Sequence, residues 1–171
     1  VFLEAIEKLI TSHPELNQKD KLKVSIVGNL TQIQGVSIKK YIDQKIKNFK
    51  FNVIFKSSLN SEEALKYIVS NNGIIINPTL GETSSYTVLE AITYNIRFLS
   101  SGIEGIKELV ARQYHENVFF EPGNADMLAK KLHDYHNNSQ LGYAERAVTN
   151  DETNSNWLNF LSNPLPSISN V

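Results

Sequence analysis

Apolar residues recur at Phe2, Ile6, Leu9 and Ile10, with Glu4, Glu7 and Lys8 between them. That period predicts an amphipathic helix from almost the first residue to His13-Pro14. Leu22, Val24, Ile26 and Val27 predict a strand, and Gly28 a tight turn at its carboxyl end. Ile38, Tyr41, Ile42, Ile46 and Phe49 mark a second helix, and Phe51, Val53, Ile54 and Phe55 a second strand. Asn60 and Glu63 have capping-box spacing ahead of Ala64, Leu65, Ile68 and Val69, which predicts a third helix.

The stretch from Gly73 to Val110 organises the rest. Ile74, Ile75 and Ile76 form an apolar run without alternation, which suits a strand of a parallel sheet covered on both faces. Asn77, Pro78 and Gly81 break that strand into a loop. Ser84 or Ser85 is placed to cap a helix carrying Tyr86 to Tyr94. Arg97 to Ser100 predicts the next strand, and Gly102 to Gly105 a loop opening another helix. Val118 to Phe120 predicts a last short strand, Pro122-Gly123 a turn and Asn124 a cap. Met127, Leu128, Leu132 and Tyr135 give the final amphipathic helix, with Met127 read as core filling. Residues 137–156 are polar. Trp157, Phe160 and Leu161 suggest the anchor of a terminal helix, and residues 162–171, with two prolines, a linker or the start of a following domain.

Strand and helix alternate throughout. That predicts βαβ units and an α/β fold with a doubly wound parallel sheet spanning residues 1–161. In such a sheet the loops at the carboxyl ends of the strands are where ligands bind.

Composition narrows the class. The 17 basic and 18 acidic residues nearly balance, so no charge excess points to nucleic acid. The absence of cysteine excludes disulfides and cysteine metal sites and fits a cytoplasmic location. No apolar run approaches the length of a membrane span. The first residue is not Met and already reads as helix, so a piece of a larger protein is expected. His133 and His136 lie three apart, but no third ligand joins them at helical spacing, and a solvated helix face accounts for them.

Two carboxylates stand out. Glu82 lies in the loop after the Ile74–Ile76 strand, and Glu90 eight positions later in the helix. Glu90 projects opposite Val88, Leu89 and Ile92, on the side of Tyr86 and Thr87. It is read either as a solvated glutamate or, with Glu82, as a group looking into a cleft beside a helix N-terminus that can hold phosphate.

The segment NPTLGETSSYTVLEAI resembles the E-x7-E signature of retaining nucleotide-sugar glycosyltransferases with the GT-B fold, the group-one or family-four type. SSGIEGIKELV is similar to that family's "GGIPE" segment, and FFEPGNADMLAKKL to its "PGD…LA" segment. The resemblance covers residues 1 to about 137, with weaker support to Leu161. Departures occur at TSS, at Asn95-Ile96-Arg97 in place of "G-x-P", and at Glu104 and Lys107 within "GGIPE".

What the resemblance implies is a Rossmann-like donor-binding half of a GT-B enzyme, transferring a sugar from a nucleoside diphosphate sugar to a glycan, lipid or protein acceptor. Glu90 would accept hydrogen bonds from ribose hydroxyls. Glu82, nearest the chemistry, would hold hydroxyls of the donor sugar without acting as a nucleophile. Gly28 and the residues Thr83, Ser84, Ser85, Tyr86 and Thr87 would line the donor. No cofactor and no essential metal are implied. The expected partners are the donor and an N-terminal acceptor-binding domain of the same chain, with a membrane-proximal acceptor an open choice and no nucleic acid. The family's phosphate-binding arginine and lysine belong upstream of Val1, so these residues alone are expected to be inactive. Lys107 is the nearest basic residue by motif position. The competing reading is a non-catalytic nucleotide-sugar-binding or interaction module of the same fold.

Overall fold

The computed structural model describes residues 1–28, 32–33, 36–149, 151–153 and 155. The expected Trp157–Leu161 anchor and the 162–171 linker lie outside them. The first helix, α1 (Phe2–Ser12), leads through a 3₁₀ turn at Pro14–Leu16 into strand β1 (Lys23–Val27). A two-residue antiparallel pair, β2 (Gln32–Ile33) and β3 (Val36–Ser37), precedes α2 (Ile38–Lys45), whose N-terminus Ser37 caps. Then come β4 (Asn52–Lys56), α3 (Ser61–Ser70), β5 (Ile75–Asn77), α4 (Tyr86–Thr93) and β6 (Phe98–Ser101). Short helices α5 (Glu104–Lys107) and α6 (His115–Val118), strand β7 (Phe119–Phe120) and helix α7 (Ala125–Asn137) follow.

All the strands outside the β2–β3 pair run parallel, and helices cover both faces, which is the Rossmann-like α/β architecture. Alternation along the strands distributes the core. Ile75, Phe98 and Phe119 pack with Val88, Ile106 and Val118 on one face. Leu99 and Phe120 pack with Leu9, Leu128 and Tyr135 on the other. Burying side chains of this size contributes on the order of 1.5–3 kcal/mol each. The continuous apolar reading of 74–76 therefore had the right cause: both faces are covered.

One expectation changes. The parallel ladder is not continuous. β1 pairs with β4, and β5 with β6 and β7, but β1 and β5 share no ladder. Helices bridge that seam instead. α1 sends Ile6 and Ile10 to Val24 and Phe51 beside β1, and Leu9 to Leu99 and Phe120 beyond β5. On the opposite face α3 sends Leu65 and Ile68 against the β5–β6 core, while its Tyr67 hydroxyl hydrogen-bonds Ser25 Oγ of β1 at 3.0 Å.

Smaller differences have local causes. Asn77 is the last residue of β5, not the first of the loop; Pro78, which lacks an N–H, ends the ladder one residue later. The strand predicted from Arg97 begins at Phe98. The helix predicted through Phe49 tightens into a 3₁₀ turn at Ile46–Asn48. Val118 closes α6, so β7 keeps only Phe119 and Phe120. Met127 is 38% exposed rather than core, its sulfur facing the Glu121 N–H at 3.3 Å. The capping box at Asn60 and Glu63 forms in both directions, at 2.9 and 3.0 Å, and Asn124 caps α7 through Met127 N–H at 2.8 Å. His133 stacks on His13, ring centroids 3.8 Å apart, tying the end of α1 to α7.

Tyr135 joins the last helix to the sheet. Its buried hydroxyl donates toward the carbonyls of Phe98 at 3.0 Å and Asn117 at 3.3 Å, and burial pushes its pKa upward. Tyr135→Phe removes the donor, leaving the Phe98 carbonyl without it and the Asn117 carbonyl with Lys131 Nζ alone, at 3.4 Å. We expect a loss of about 1–2 kcal/mol, read as a lower urea midpoint at unchanged slope. An unchanged midpoint would show that water satisfies those carbonyls.

Candidate functional site

The order of the strands creates the site. β4 pairs with β1, and β5 lies across the seam, where residues of β1 and β5 line the same cavity. A crevice opens there at the carboxyl edge. β1 ends there at Val27 and β5 at Asn77.

Asn77 is the hub. Its side-chain N–H₂ group lies 3.1 Å from Ser85 Oγ and 3.4 Å from both Ser100 Oγ and Glu82 Oε2. One amide therefore gathers the loop carboxylate, the cap of α4 and the end of β6. Ser85 is buried, and its hydroxyl also accepts from Val88 N–H at 3.4 Å, so Ser85 rather than Ser84 caps α4. The cap leaves the remaining first-turn N–H groups of α4 outside the helix's own hydrogen bonds, at the positive end of its dipole. Ser101, next on β6, buries a hydroxyl with no partner among the described residues.

The loop is fixed from beneath by Gly105. A Cβ there would drive into the Thr83 carbonyl, well inside van der Waals contact. Only glycine lets α5 approach so closely. Lys107 does not face the loop as a bare cation: it pairs with Glu104 at 2.7 Å, and that hydrogen bond holds the Glu104 carboxyl below its ordinary range.

A cavity of about 640 Å³ extends from this edge along the sheet, under α3 and α4. Thr87 and Glu90 line it together with Asn77, Val27 and Ser61. Glu90 is half-buried and lines this cavity. Deeper in, Tyr67 lies between two cations, Lys23 Nζ at 5.5 Å and Lys56 Nζ at 5.2 Å from its ring. The Ser25 hydrogen bond, and then Lys23, hold its phenol below the usual pKa.

The remaining sequence candidates divide. Glu82 is half-buried beside Asn77 but does not line the cavity. Thr83 and Ser84 are exposed at the edge, and Tyr86 is 80% exposed. Gly28 adopts φ +122°, the conformation its turn requires. Its N–H is used by the Lys56 carbonyl at 3.0 Å, and it does not line the cavity. Sequence reading missed Asn77, Ser100, Gly105, Ser25 and Tyr67. The one available signal was two serines ending an otherwise apolar strand. Among the described residues no helix is long and apolar enough to cross a membrane.

A Rossmann-like domain with a crevice at its switch point and a capped helix N-terminus beside it is the layout of a nucleotide-type ligand site. The family model "Glycosyl transferases group 1" matches residues 2–153, and the chain belongs to that family. Comparison with curated proteins gives no match, and comparison with solved structures gives none either.

The hub makes a measurable demand. Asn77→Ala leaves two buried serine hydroxyls without their shared donor and frees Glu82. Stability should fall by about 1–3 kcal/mol. Amide exchange should quicken at Glu82 to Ser85 while α7 keeps its protection. Uniform acceleration across both regions would show that Asn77 supports the whole fold rather than the loop.

Proposed function

We propose that this chain is the donor-binding half of a retaining glycosyltransferase that takes a sugar from a nucleoside diphosphate sugar. One observation carries the reading: Thr87 and Glu90 share a cavity with Asn77, whose amide also holds Glu82 and the cap of α4. Family membership implies a nucleotide-sugar donor, and this edge offers a helix N-terminus and two carboxylates that such a donor would use.

The chemistry is departure of a nucleoside diphosphate from the anomeric carbon. The free N–H groups at the start of α4 would receive the diphosphate, with the helix dipole opposing the charge that develops as the bond breaks. Glu90 would accept hydrogen bonds from the two ribose hydroxyls inside the cavity. Glu82, held at the edge by Asn77, would accept from hydroxyls of the sugar and fix its orientation. Neither carboxylate serves as nucleophile. Two carboxylates near a diphosphate repel it, so added positive charge is required; Lys107, already paired with Glu104, is a weak source of it. A second, acceptor-binding domain of the same chain would bring the acceptor to the other side of the donor and exclude water. These residues without that domain should bind nucleotide at about millimolar Kd and transfer nothing. Metal independence is part of the proposal.

A nucleoside diphosphate should shift amide signals of Thr83 to Thr87 more than those of α7. Glu90→Gln should weaken donor binding about 10- to 100-fold, the loss of charge-assisted hydrogen bonds, with thermal stability retained because Glu90 is off the core face. Normal donor affinity in that variant would remove the ribose role. Absence of shifts with UDP, GDP and ADP at millimolar concentration would favour a non-catalytic module.

A further inference from the structure

Charge balances over the whole chain but not along it. Residues 17–52 hold eight lysines against Asp20 and Asp43, a formal +6 within a chain of net −1. The fold gathers six of the eight at one end. Lys19 and Lys21 lead into β1 and Lys23 opens it, while Lys45, Lys47 and Lys50 lead into β4. The two strands run parallel with Lys23 opposite Asn52, so both approaches meet at the amino edge of the sheet. Asn17 ties them together. Its amide donates to the Asn48 carbonyl at 3.1 Å, and its side-chain oxygen accepts from Lys50 N–H at 2.8 Å.

All six lysines are exposed. Lys23 Nζ donates to Asn71 Oδ1 at 2.6 Å. Among the described residues no carboxylate lies within ion-pair distance of any of the six. The acids nearest in the chain do not change this. Asp43 is taken by Lys39 at 2.8 Å, Glu15 faces His13 Nδ1 at 3.4 Å, and Asp20 stands between Lys19 and Lys21 in the chain. The opposite edge has the opposite sign: the loops after β5 and β7 carry Glu82 and Glu121. Charge is therefore segregated along the strand axis, and a field of one sign at one pole steers that pole toward an anionic partner.

The residue types say which partner. None of the six is an arginine, so the patch has no planar fork to fix one phosphate or one base edge. Compact ammonium groups on flexible stems suit a surface whose charges rearrange to meet them. Tyr41, 52% exposed, lies one turn before Lys45 on the same face of α2. A ring with an apolar body and a polar tip belongs at the level of lipid headgroups.

We infer that the amino edge rests on an anionic phospholipid surface through these six lysines. Each adds to the attraction within a Debye length of the lipid. The carboxyl edge, with Asn77 and Glu82, then faces away from the lipid, one five-residue strand or about 17 Å off.

The test is sedimentation of the chain with vesicles of phosphatidylcholine alone and of phosphatidylcholine mixed with phosphatidylglycerol. Binding is expected to the mixed vesicles only, and it should disappear at about 1 M salt, where the Debye length falls to about 3 Å. Lys47→Gln combined with Lys50→Gln should weaken it roughly 20- to 40-fold, the loss of two surface charges. Lys66→Gln combined with Lys130→Gln, exposed positions on α3 and α7 outside the patch, should leave it unchanged. Absence of binding to the mixed vesicles, or equal binding to neutral ones, overturns the inference. The same loss from both pairs of substitutions overturns the assignment to the amino edge. Tighter binding to duplex DNA than to the mixed vesicles at the same salt overturns lipid as the partner.

Discussion

A single side-chain amide at the end of β5 decides the shape of the carboxyl edge. Asn77 reaches a carboxylate from the following loop, the cap of the following helix and a serine from the neighbouring strand. Each of these comes from a different element. Without the shared donor Ser85 would keep only its bond from Val88 N–H and Ser100 only its bond to the Ser101 carbonyl, and the loop would lose its tie to β6. The free end of α4 and the position of Glu82 are both consequences of where that amide lies.

The hub works because the elements around it are held by packing. Phe98, Leu99, Phe119 and Phe120 alternate between the two faces, so β6 and β7 are anchored from both sides. Gly105 then allows α5 to seat against the Thr83 carbonyl from below. The loop carrying Glu82 is thus gripped by a hydrogen bond on one side and a steric contact on the other. A loop held in this way can present a carboxylate at a defined place, which is what orienting a sugar demands.

The other half of the domain is joined differently. β1 and β4 form their own ladder, and helices hold it against β5 instead of backbone bonds. α1 touches apolar clusters on both sides of the seam, and Tyr67 of α3 ties β1 through Ser25. Helix packing is less directional than a ladder, so it tolerates space between the strands. Two cavities flank that space. One opens toward Thr87 and Glu90, and the other lies under α1 and α7.

The sequence by itself determined the elements and the class. Period and alternation located α1, β1, β4, α3, β5, α4 and α7, because each must bury an apolar stripe or run regardless of its neighbours. Caps at Asn60 and Asn124 were legible for the same local reason, and the cap of α4 was narrowed to Ser84 or Ser85. Position beside a predicted helix N-terminus drew attention to Glu82 and Glu90, and the E-x7-E resemblance made them site candidates. What only the tertiary structure decided were relations between distant positions. Asn77 reads locally as a strand breaker; its role comes from Ser100, 23 residues away, lying on the adjacent strand. Gly105 reads as a loop glycine until the Thr83 carbonyl is brought against it. Met127 fits the helical stripe, yet lies at its margin where the sheet no longer covers it. The seam between β1 and β5 left no mark in the chain, since both strands carry the apolar residues a continuous sheet would use. Local pattern reports what must be buried; which group meets which is settled by packing.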